Sequence, residues 1–257
     1  MKFYHFLNEN RTESITEEQF KTLLNKHCSD ILNRYPNVNT IYRGMKSSIE
    51  YGFIDPTKFT RMSAYAQFNY YTLLMDEILP SWSNMPKRSK SIICSSSIGR
   101  AKDYGNTYIV YPYNTSRIAV SPESDIWDTF VYLPVHPLDN LNDFIDDVVS
   151  FFKISGSDNK KILETFKIMN RLKEYMNDDE KKLLNYNDFS YVFNDFKKSN
   201  HKDFLTYLNE LMRPTKNNIK LYYPKNYTSK DDNEIWIEGP CLLQETSVFD
   251  SFKDLKQ

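Results

Sequence analysis

Alternating acidic and apolar positions mark residues 232–240 as a strand with two unlike faces. In an extended strand, side chains at i, i+2 and i+4 point to the same side of the sheet. The two isoleucines at 235 and 237 are therefore predicted to face the core. The opposite face is predicted to carry Asp232, Glu234, Trp236 and Glu238. A row of carboxylates beside an aromatic ring suits a cleft in which positive charge develops on a substrate.

The N-terminal third of the chain is predicted to be helical around one short strand. Ser14 and Thr16 are candidate N-caps, with Glu17 and Gln19 at the matching capping-box positions, and apolar residues follow at helical spacing. A short strand is predicted over residues 39–43, ending at Gly44. A second helix is predicted from about residue 61 to residue 79.

The rest of the chain alternates between a β-rich segment and a long helical block. Strands are predicted over residues 91–95, 107–111 and 117–120, with one or two helical turns at 98–104. Apolar residues at three- and four-residue intervals predict several helices over about residues 139–215. The β pattern then returns at 219–223, 234–237 and 241–243. Because helices and strands do not alternate strictly, the pattern predicts one α+β domain over residues 1–257, with the helical block as an insertion.

Composition and charge narrow the function classes. The chain has 257 residues, 40% of them hydrophobic and 26% charged, which is ordinary for a globular protein that buries a core. Its net charge of −1 and the lack of a basic stripe argue against a nucleic-acid binder. Residues 1–10 lack the apolar core of a signal peptide, and no apolar run is long enough to span a membrane, so a cytoplasmic protein without a membrane partner is expected.

The cysteines and histidines offer no metal site or disulfide framework. Three cysteines without C-x-x-C spacing are expected to be reduced thiols, and the four histidines lack the spacing of metal ligands. A nucleophile–base pair of Cys94 and His136 has no local support. Cys94 lies in an apolar run, where a buried structural thiol is the better interpretation.

Two further segments carry weak signals for chemistry. Arg43, before Gly44 at a strand end, suits anion binding with close approach of a ligand to the backbone, although a surface Arg before a turn glycine is the commoner reading. The serines at 95, 96 and 97 end another strand, where hydroxyl groups orient ligands but also form ordinary turns.

The order of these signals along the chain is more specific than any one of them. An aromatic-Arg-Gly strand, a triple-serine strand and a strand with a carboxylate pair resemble the Arg-Ser-Glu class of mono-ADP-ribosyltransferases, which consume NAD. The resemblance covers about residues 40–130 and 219–245, and it is closer to the cytoplasmic phage branch than to the secreted toxins. It implies a split β-sheet core with N-terminal helices, and it gives no role to the helical insertion. We therefore expect that insertion to cover the NAD cleft or to select the acceptor.

The resemblance assigns a role to each matched residue. Glu234 corresponds to the catalytic glutamate, which stabilises the ribosyl cation, and Ser95 to a brace for the ribose and for Glu234. Arg43 corresponds to the anchor of the NAD diphosphate or the adjoining ribose, and the Gly44 backbone to the holder of the nicotinamide amide. Three more residues are implied as NAD contacts: Ser96, Ser97 and Tyr104.

The second acidic position departs from the family pattern. Asp232 stands where the family has Glu or Gln, and that position helps to choose the acceptor, so the resemblance implies that Asp232 orients or deprotonates an acceptor it does not identify. Glu238 is a rival for the catalytic acid, disfavoured because Gly239-Pro240 follows it at once. Three tyrosines near the loop at 224–231 are implied as acceptor contacts, with ordinary packing as the alternative: Tyr222, Tyr223 and Tyr227.

Three functions from different classes follow from the resemblance. The first is transfer of ADP-ribose from NAD to a macromolecule, most often a host protein, with nucleic acid as a further acceptor class; a phage-encoded enzyme would act in the host cytoplasm. The second is hydrolysis of NAD, with water as the acceptor. The third is a non-catalytic protein that binds a nucleotide or a host protein. The intact trio of Arg43, Ser95 and Glu234 favours an enzyme.

Overall fold

A nine-stranded antiparallel sheet together with several helices confirms the predicted α+β class. The computed structural model describes residues 11–35, 37–61, 68–133, 195–196 and 198–249, and for residues 68–70 it describes the backbone alone. The strands of the described chain are β1 (Glu13–Ser14), β2 (Tyr42–Met45), β3 (Tyr51–Ile54), β4 (Ser91–Ser95), β5 (Asn106–Pro112), β6 (Arg117–Val120), β7 (Lys220–Tyr222), β8 (Glu234–Glu238) and β9 (Cys241–Glu245).

Short helices connect these strands. They are α1 (Glu17–His27), α2 (Ser29–Arg34), α3 (Phe68–Leu73, continued by a π-helical turn over Leu74–Ile78), α4 (Ile98–Lys102), α5 (Ile126–Thr129) and α6 (Phe204–Leu211). Single 3₁₀ turns at Arg88–Lys90 and Pro224–Asn226 lead towards β4 and β8. No helix in the described part of the chain is both long enough and apolar enough to cross a membrane.

The start of α1 follows from its sequence. The Thr16 hydroxyl accepts a hydrogen bond from the Gln19 amide at 3.2 Å, and the Gln19 side chain accepts one from the Thr16 amide at 2.9 Å. This capping box satisfies two amides that a helix start leaves unpaired. Phe20 and Leu24, one turn apart, are then fully buried in the main core. The structure thus confirms the predicted helix start and selects Thr16 over Ser14, which lies in β1.

Most strand predictions hold to within two residues. The bounds of β4 and β6 match the predicted strands, while β2 lies further along the chain than predicted and runs through Gly44 to Met45. The sequence reading missed β1, which has two residues, and β3, whose interior contains Gly52. Glycine weakens a strand pattern because it packs no side chain. β3 is nevertheless held by β1 on one side and β9 on the other.

The strand order is β1-β3-β9-β5-β2-β4-β8-β6-β7. β2, β4 and β8 are therefore neighbours near the middle of the sheet, although they come from distant parts of the sequence. Their register aligns Tyr42 with Ser95, and Ser95 with Glu234. Since adjacent strands lie about 4.8 Å apart, this register places three sequence-distant segments side by side.

The described residues fall into two compact units. The first, with residues 1–66, 84–129 and 218–257, holds the whole sheet; the second comprises 67–83 and 130–217. Within the second unit, the Trp82 indole donates to the Met212 carbonyl at 3.0 Å, and α6 packs through aromatic rings such as Phe204 and Tyr207. The predicted insertion at 139–215 falls within this unit, and the helices predicted for its part before residue 195 lie outside the described residues.

Candidate active site

Glu234 opens β8 with a buried carboxylate, 7% exposed. Its Oε1 forms an ion pair with the Arg88 guanidinium, and its Oε2 accepts a hydrogen bond from the Ile126 amide at 3.2 Å. Its own amide donates to the Glu123 carbonyl at 2.8 Å. Main-chain and side-chain contacts therefore fix the carboxylate at the head of the strand, in a place where water screens its charge little.

The partner of Glu234, Arg88, is a site residue that the sequence reading missed. It is 5% exposed, and its guanidinium carbon lies 5.3 Å from the ring centre of Trp127 and 5.6 Å from that of Trp236. Buried arginines are rare unless they are paired. Nothing in the local sequence distinguishes Arg88 from Lys87 and Lys90, so only the fold reveals its role.

The positive charges of Arg88 and Arg43 both act on the Arg61 guanidinium, and these three groups are called the arginine cluster below. Arg43 donates through Nη1 to the Ile93 carbonyl of β4. The Arg61 amide donates to the Ser89 carbonyl at 2.7 Å, which fixes residue 61 beside the turn that holds Arg88. Desolvation, followed by the positive charges of Arg88 and Arg43, lowers the pKa of Arg61 to about 9. The group still carries its charge at neutral pH, at an energetic cost.

The three predicted serines take three different positions. The Ser95 hydroxyl donates to the Asn233 carbonyl at 3.4 Å and accepts from the Ser97 amide at 3.0 Å. Ser96 is buried, donates to the Lys230 carbonyl and accepts from the Asn233 amide, both at 2.7 Å. Ser97 is the N-cap of α4. All three thus order the chain around the site, and Ser95 and Ser96 bond to the residue just before Glu234.

Asn233 is a second site residue that the sequence reading missed. It is 4% exposed, and its side-chain amide donates to the Pro122 carbonyl at 2.9 Å while its Oδ1 accepts from the Lys230 amide at 2.7 Å. Asn233 also bonds to Ser95 and Ser96. Its contacts therefore attach the loop before β8 to the segment that contains these serines and to the loop that contains Pro122. Its position between two acidic residues gave no sign of this, because Asn is common in turns for local reasons.

The predicted row of carboxylates on one strand face is wrong for Asp232. β8 begins at Glu234, and Asp232 lies in the preceding turn with a φ of 62°, in the left-handed region. Asp tolerates that region better than most residues. Trp236 is fully buried rather than lining an open cleft, and its indole donates to the Pro86 carbonyl at 3.1 Å. The predicted burial of Ile235 and Ile237 is confirmed.

Asp232 is exposed and bound by an arginine of α4. The Arg100 Nε lies 3.2 Å from Oδ1, and Nη2 lies 3.5 Å from Oδ2 and 2.9 Å from the Ser124 hydroxyl. The bond to Asp232 and its charge raise the pKa of Arg100. Arg100 thereby links the turn before β8 to the loop before α5, and the Asp232 carboxylate is separate from the arginine cluster.

The rival acid Glu238 lies at the other end of β8. It is aligned with Ser91 rather than Ser95, and its carboxylate is paired with Arg117 of β6 at 2.9 Å. Four residues of strand separate it from Glu234, which is about 13 Å. The arrangement thus sets Glu238 apart from the arginine cluster.

A second carboxylate lies near Glu234 in the turn before α5. Asp125 accepts a hydrogen bond from the Trp127 amide at 3.0 Å. Although the residue as a whole is exposed, desolvation of its carboxyl and, next, the charge of Glu234 raise the pKa of Asp125. The negative charge around the arginine cluster therefore comes from Glu234 at its centre and Asp125 at its edge.

Gly44 lies in close contact with the last turn of α4. A Cβ at this position would be 1.8 Å from the Ala101 carbonyl oxygen and 2.9 Å from the Tyr104 Cβ. Only glycine allows this approach. Tyr104 itself is 56% exposed beside the strand, so both predicted NAD contacts lie on the same side of β2.

Gly44→Ala is expected to destabilise the protein by about 1–3 kcal/mol or more, the usual cost of overpacking. The obstacle is backbone, which cannot move as a flexible side chain does. Urea denaturation measures the change. Gly99→Ala is the matched control, since its Cβ would find only the Ser97 Oγ at 3.6 Å. Equal stability of the two variants would contradict the close packing of β2 on α4.

The three tyrosines proposed as acceptor contacts have unlike environments. Tyr223 is 42% exposed and Tyr222 is half-buried. Tyr227 is fully buried, with its hydroxyl 2.7 Å from the Ser229 Oγ and its carbonyl accepting from the Arg34 Nε at 3.1 Å. As placed here, Tyr227 is a packing residue and cannot touch an acceptor, which corrects its assignment.

The thiols take no part in the site. Cys28, Cys94 and Cys241 are all unpaired and buried, and burial raises the pKa of the Cys94 thiol to about 12. A thiol of that pKa is almost wholly protonated at neutral pH, which makes it a poor nucleophile. His136 lies outside the described residues. Within the described ranges, no group of three or more His, Cys, Asp or Glu side chains forms a metal site.

No protein-family model, curated protein or solved structure matches this chain.

Proposed function

We propose that the chain is an NAD-dependent mono-ADP-ribosyltransferase. The observation that carries the proposal is the register of the central strands, in which Tyr42, Ser95 and Glu234 are aligned across β2, β4 and β8, with Arg43 next to Tyr42. The sequence motifs at these positions resemble that enzyme class. Motifs about 50 and 140 residues apart along the chain meet on neighbouring strands, as a shared substrate site requires.

In the proposed reaction, the bond between the nicotinamide nitrogen and the ribose C1′ breaks, and its electron pair leaves with neutral nicotinamide. The ribose is left with oxocarbenium character. The Glu234 carboxylate stabilises that positive charge, which is largest in the transition state, and such differential stabilisation lowers the barrier. A nucleophile of the acceptor then bonds to C1′ and gives up its proton.

The other residues of the proposed site bind NAD, position Glu234 or face the acceptor. Arg43 belongs to the arginine cluster, whose positive charge suits the diphosphate of NAD. Ser95 positions Glu234 indirectly, through the carbonyl of Asn233. Asp232, outside the strand and on the surface, is proposed to face the acceptor. Resemblance to the phage branch makes a host protein in the cytoplasm the proposed acceptor.

The test incubates the protein with NAD labelled in the adenylate half, with and without a bacterial lysate. Free nicotinamide is quantified by chromatography, and label is followed on protein and on nucleic acid. Label on a protein band supports transfer to protein, and label on nucleic acid moves the acceptor to that class. Nicotinamide release without label on any macromolecule indicates NAD hydrolysis. Failure to release nicotinamide in either reaction would reject both enzymatic functions.

Asp232→Asn is expected to leave nicotinamide release in the absence of acceptor nearly unchanged, and to lower the rate of transfer to the acceptor by about 10²–10⁴-fold if Asp232 removes its proton. The ratio of labelled acceptor to free nicotinamide measures this split. Asp231→Asn is the neighbouring control, since Asp231 accepts a bond from the Asn39 side chain. A parallel fall of both rates in Asp232→Asn would contradict a role limited to the acceptor.

A further inference from the structure

The arginine cluster holds more positive charge than its surroundings neutralise. Three guanidinium groups meet one buried carboxylate, Glu234, and only Arg88 is paired with it. Within the described chain, the Arg61 guanidinium has neither an ion-pair partner nor a side-chain hydrogen bond, and the Arg43 guanidinium donates to a neutral carbonyl. Partly buried cations without counter-charge are costly. Such an arrangement is stabilised by an anion that supplies several oxygens.

Both oxygens of the Glu234 carboxylate are bound in the same arrangement. Arg88 holds Oε1 and the Ile126 amide holds Oε2, and the side chain is almost inaccessible to solvent. Each oxygen can accept a further hydrogen bond, but the carboxylate is so enclosed that a ribose hydroxyl reaches it only if one of these partners moves aside. The Ile126 amide is part of the backbone of α5, whereas Arg88 ends in a long side chain that reaches other acceptors by rotation about its own bonds.

We propose that Arg88 and Arg61 bind the diphosphate of the nucleotide, and that this binding withdraws Arg88 from Glu234 and opens the carboxylate to the ribose. The inference rests on the proposed function for the identity of the ribose-bearing ligand. Charge-assisted bonds from two guanidinium groups to phosphate oxygens replace the Arg88–Glu234 pair. The carboxylate is thus held by the protein until a diphosphate arrives, and nucleotide binding and release of Glu234 are linked.

This link between nucleotide binding and the Arg88–Glu234 pair can be tested by binding measurements alone, without catalysis. A ligand that must break an ion pair binds more tightly once that pair has been weakened. Affinities for ADP, pyrophosphate and adenosine are measured by calorimetry. ADP and pyrophosphate are expected to bind, whereas adenosine, without phosphate, is not. The difference between ADP and pyrophosphate shows how much the nucleoside adds to the shared diphosphate chemistry. Tryptophan fluorescence should change with ADP, since Arg88 lies over Trp127 and Trp236.

Glu234→Gln should tighten ADP binding by about fivefold or more, the lower range of coupling between linked sites. Asp125→Asn is the control for simple loss of nearby negative charge, and it should tighten binding by no more than about twofold because Asp125 lies at the edge of the arginine cluster on an exposed residue. Arg61→Gln should weaken ADP binding while leaving the Arg88–Glu234 pair in place. Thermal melting of each variant verifies that it is folded.

The proposal is overturned if wild-type protein binds neither ADP nor pyrophosphate, if Glu234→Gln and Asp125→Asn change ADP affinity equally, or if Arg61→Gln has no effect. These results are independent of the reaction. Linked ADP binding without any nicotinamide release would keep the diphosphate site and reject the enzymatic function. Nicotinamide release by a protein whose ADP affinity does not depend on Glu234 would keep the enzymatic function and reject the link between diphosphate binding and Glu234.

Discussion

Glu234→Gln is expected to lower the rate of nicotinamide release from NAD by on the order of 10²–10³-fold, the usual loss when one electrostatic contact to a transition state is removed. Glutamine keeps the size of the side chain and an oxygen for the Ile126 amide, but it lacks the charge that is proposed to stabilise the ribosyl cation. Single-turnover cleavage of NAD at saturating concentration measures the loss in the chemical step.

Glu238→Gln is the matched control for that experiment. It removes an equal charge from the same strand, at the end that faces Arg117 rather than the arginine cluster. Its rate of nicotinamide release should stay close to that of the wild type. If Glu238→Gln lost cleavage and Glu234→Gln kept it, the catalytic assignment would move to the rival acid and the proposed use of the central strands would fail.

Arg88→Met is expected to destabilise the fold by about 3–5 kcal/mol, the usual cost of breaking a buried ion pair by removing one partner. Methionine fills part of the space between Trp127 and Trp236, so loss of the charge dominates over loss of packing. The Glu234 carboxylate is left buried without its ion-pair partner. Urea denaturation followed by far-UV circular dichroism measures the free energy of unfolding.

A second substitution distinguishes the loss of the ion pair from the loss of packing against the tryptophan rings. In Arg88→Met/Glu234→Gln, the carboxylate that lost its partner is removed as well, so stability should recover relative to Arg88→Met alone. Arg100→Met, which breaks the exposed pair with Asp232, should change stability far less, because solvent already screens that pair. A double variant no more stable than Arg88→Met would show that the arginine contributes through its contacts with the rings.

The elements near the site were predictable where local patterns and tertiary structure agree. β4 was predicted to the residue because an apolar run ends in serines, and β8, predicted over 234–237, to within one residue because isoleucines alternate with polar residues. Arg43, Ser95 and Glu234 were identified through the order of three motifs. The sheet register then places their segments on adjacent strands, a relation that no local pattern contains.

The parts of the site that sequence could not predict depend on long-range contacts. Arg88 lies among basic residues in a surface-like segment, yet it is buried because Trp127, Trp236 and Glu234 surround it. Asn233 is a loop residue, and three of its hydrogen-bond partners come from other segments: Ser95, Ser96 and Pro122. Asp232 was placed in the strand because alternation alone does not show where a strand begins, and its positive φ excludes it from the ladder.

The burial of every thiol has a practical consequence for labelling. All three cysteines of the chain are buried, and burial raises the pKa of each of them. Alkylating reagents attack the exposed thiolate, so the native fold should react slowly with maleimides. A cysteine introduced at exposed Ile98, the first residue of α4, would then carry a fluorophore or spin label selectively without removal of the natural thiols. The signal of that label would then report on the surroundings of α4 when nucleotide is added to test the proposed binding.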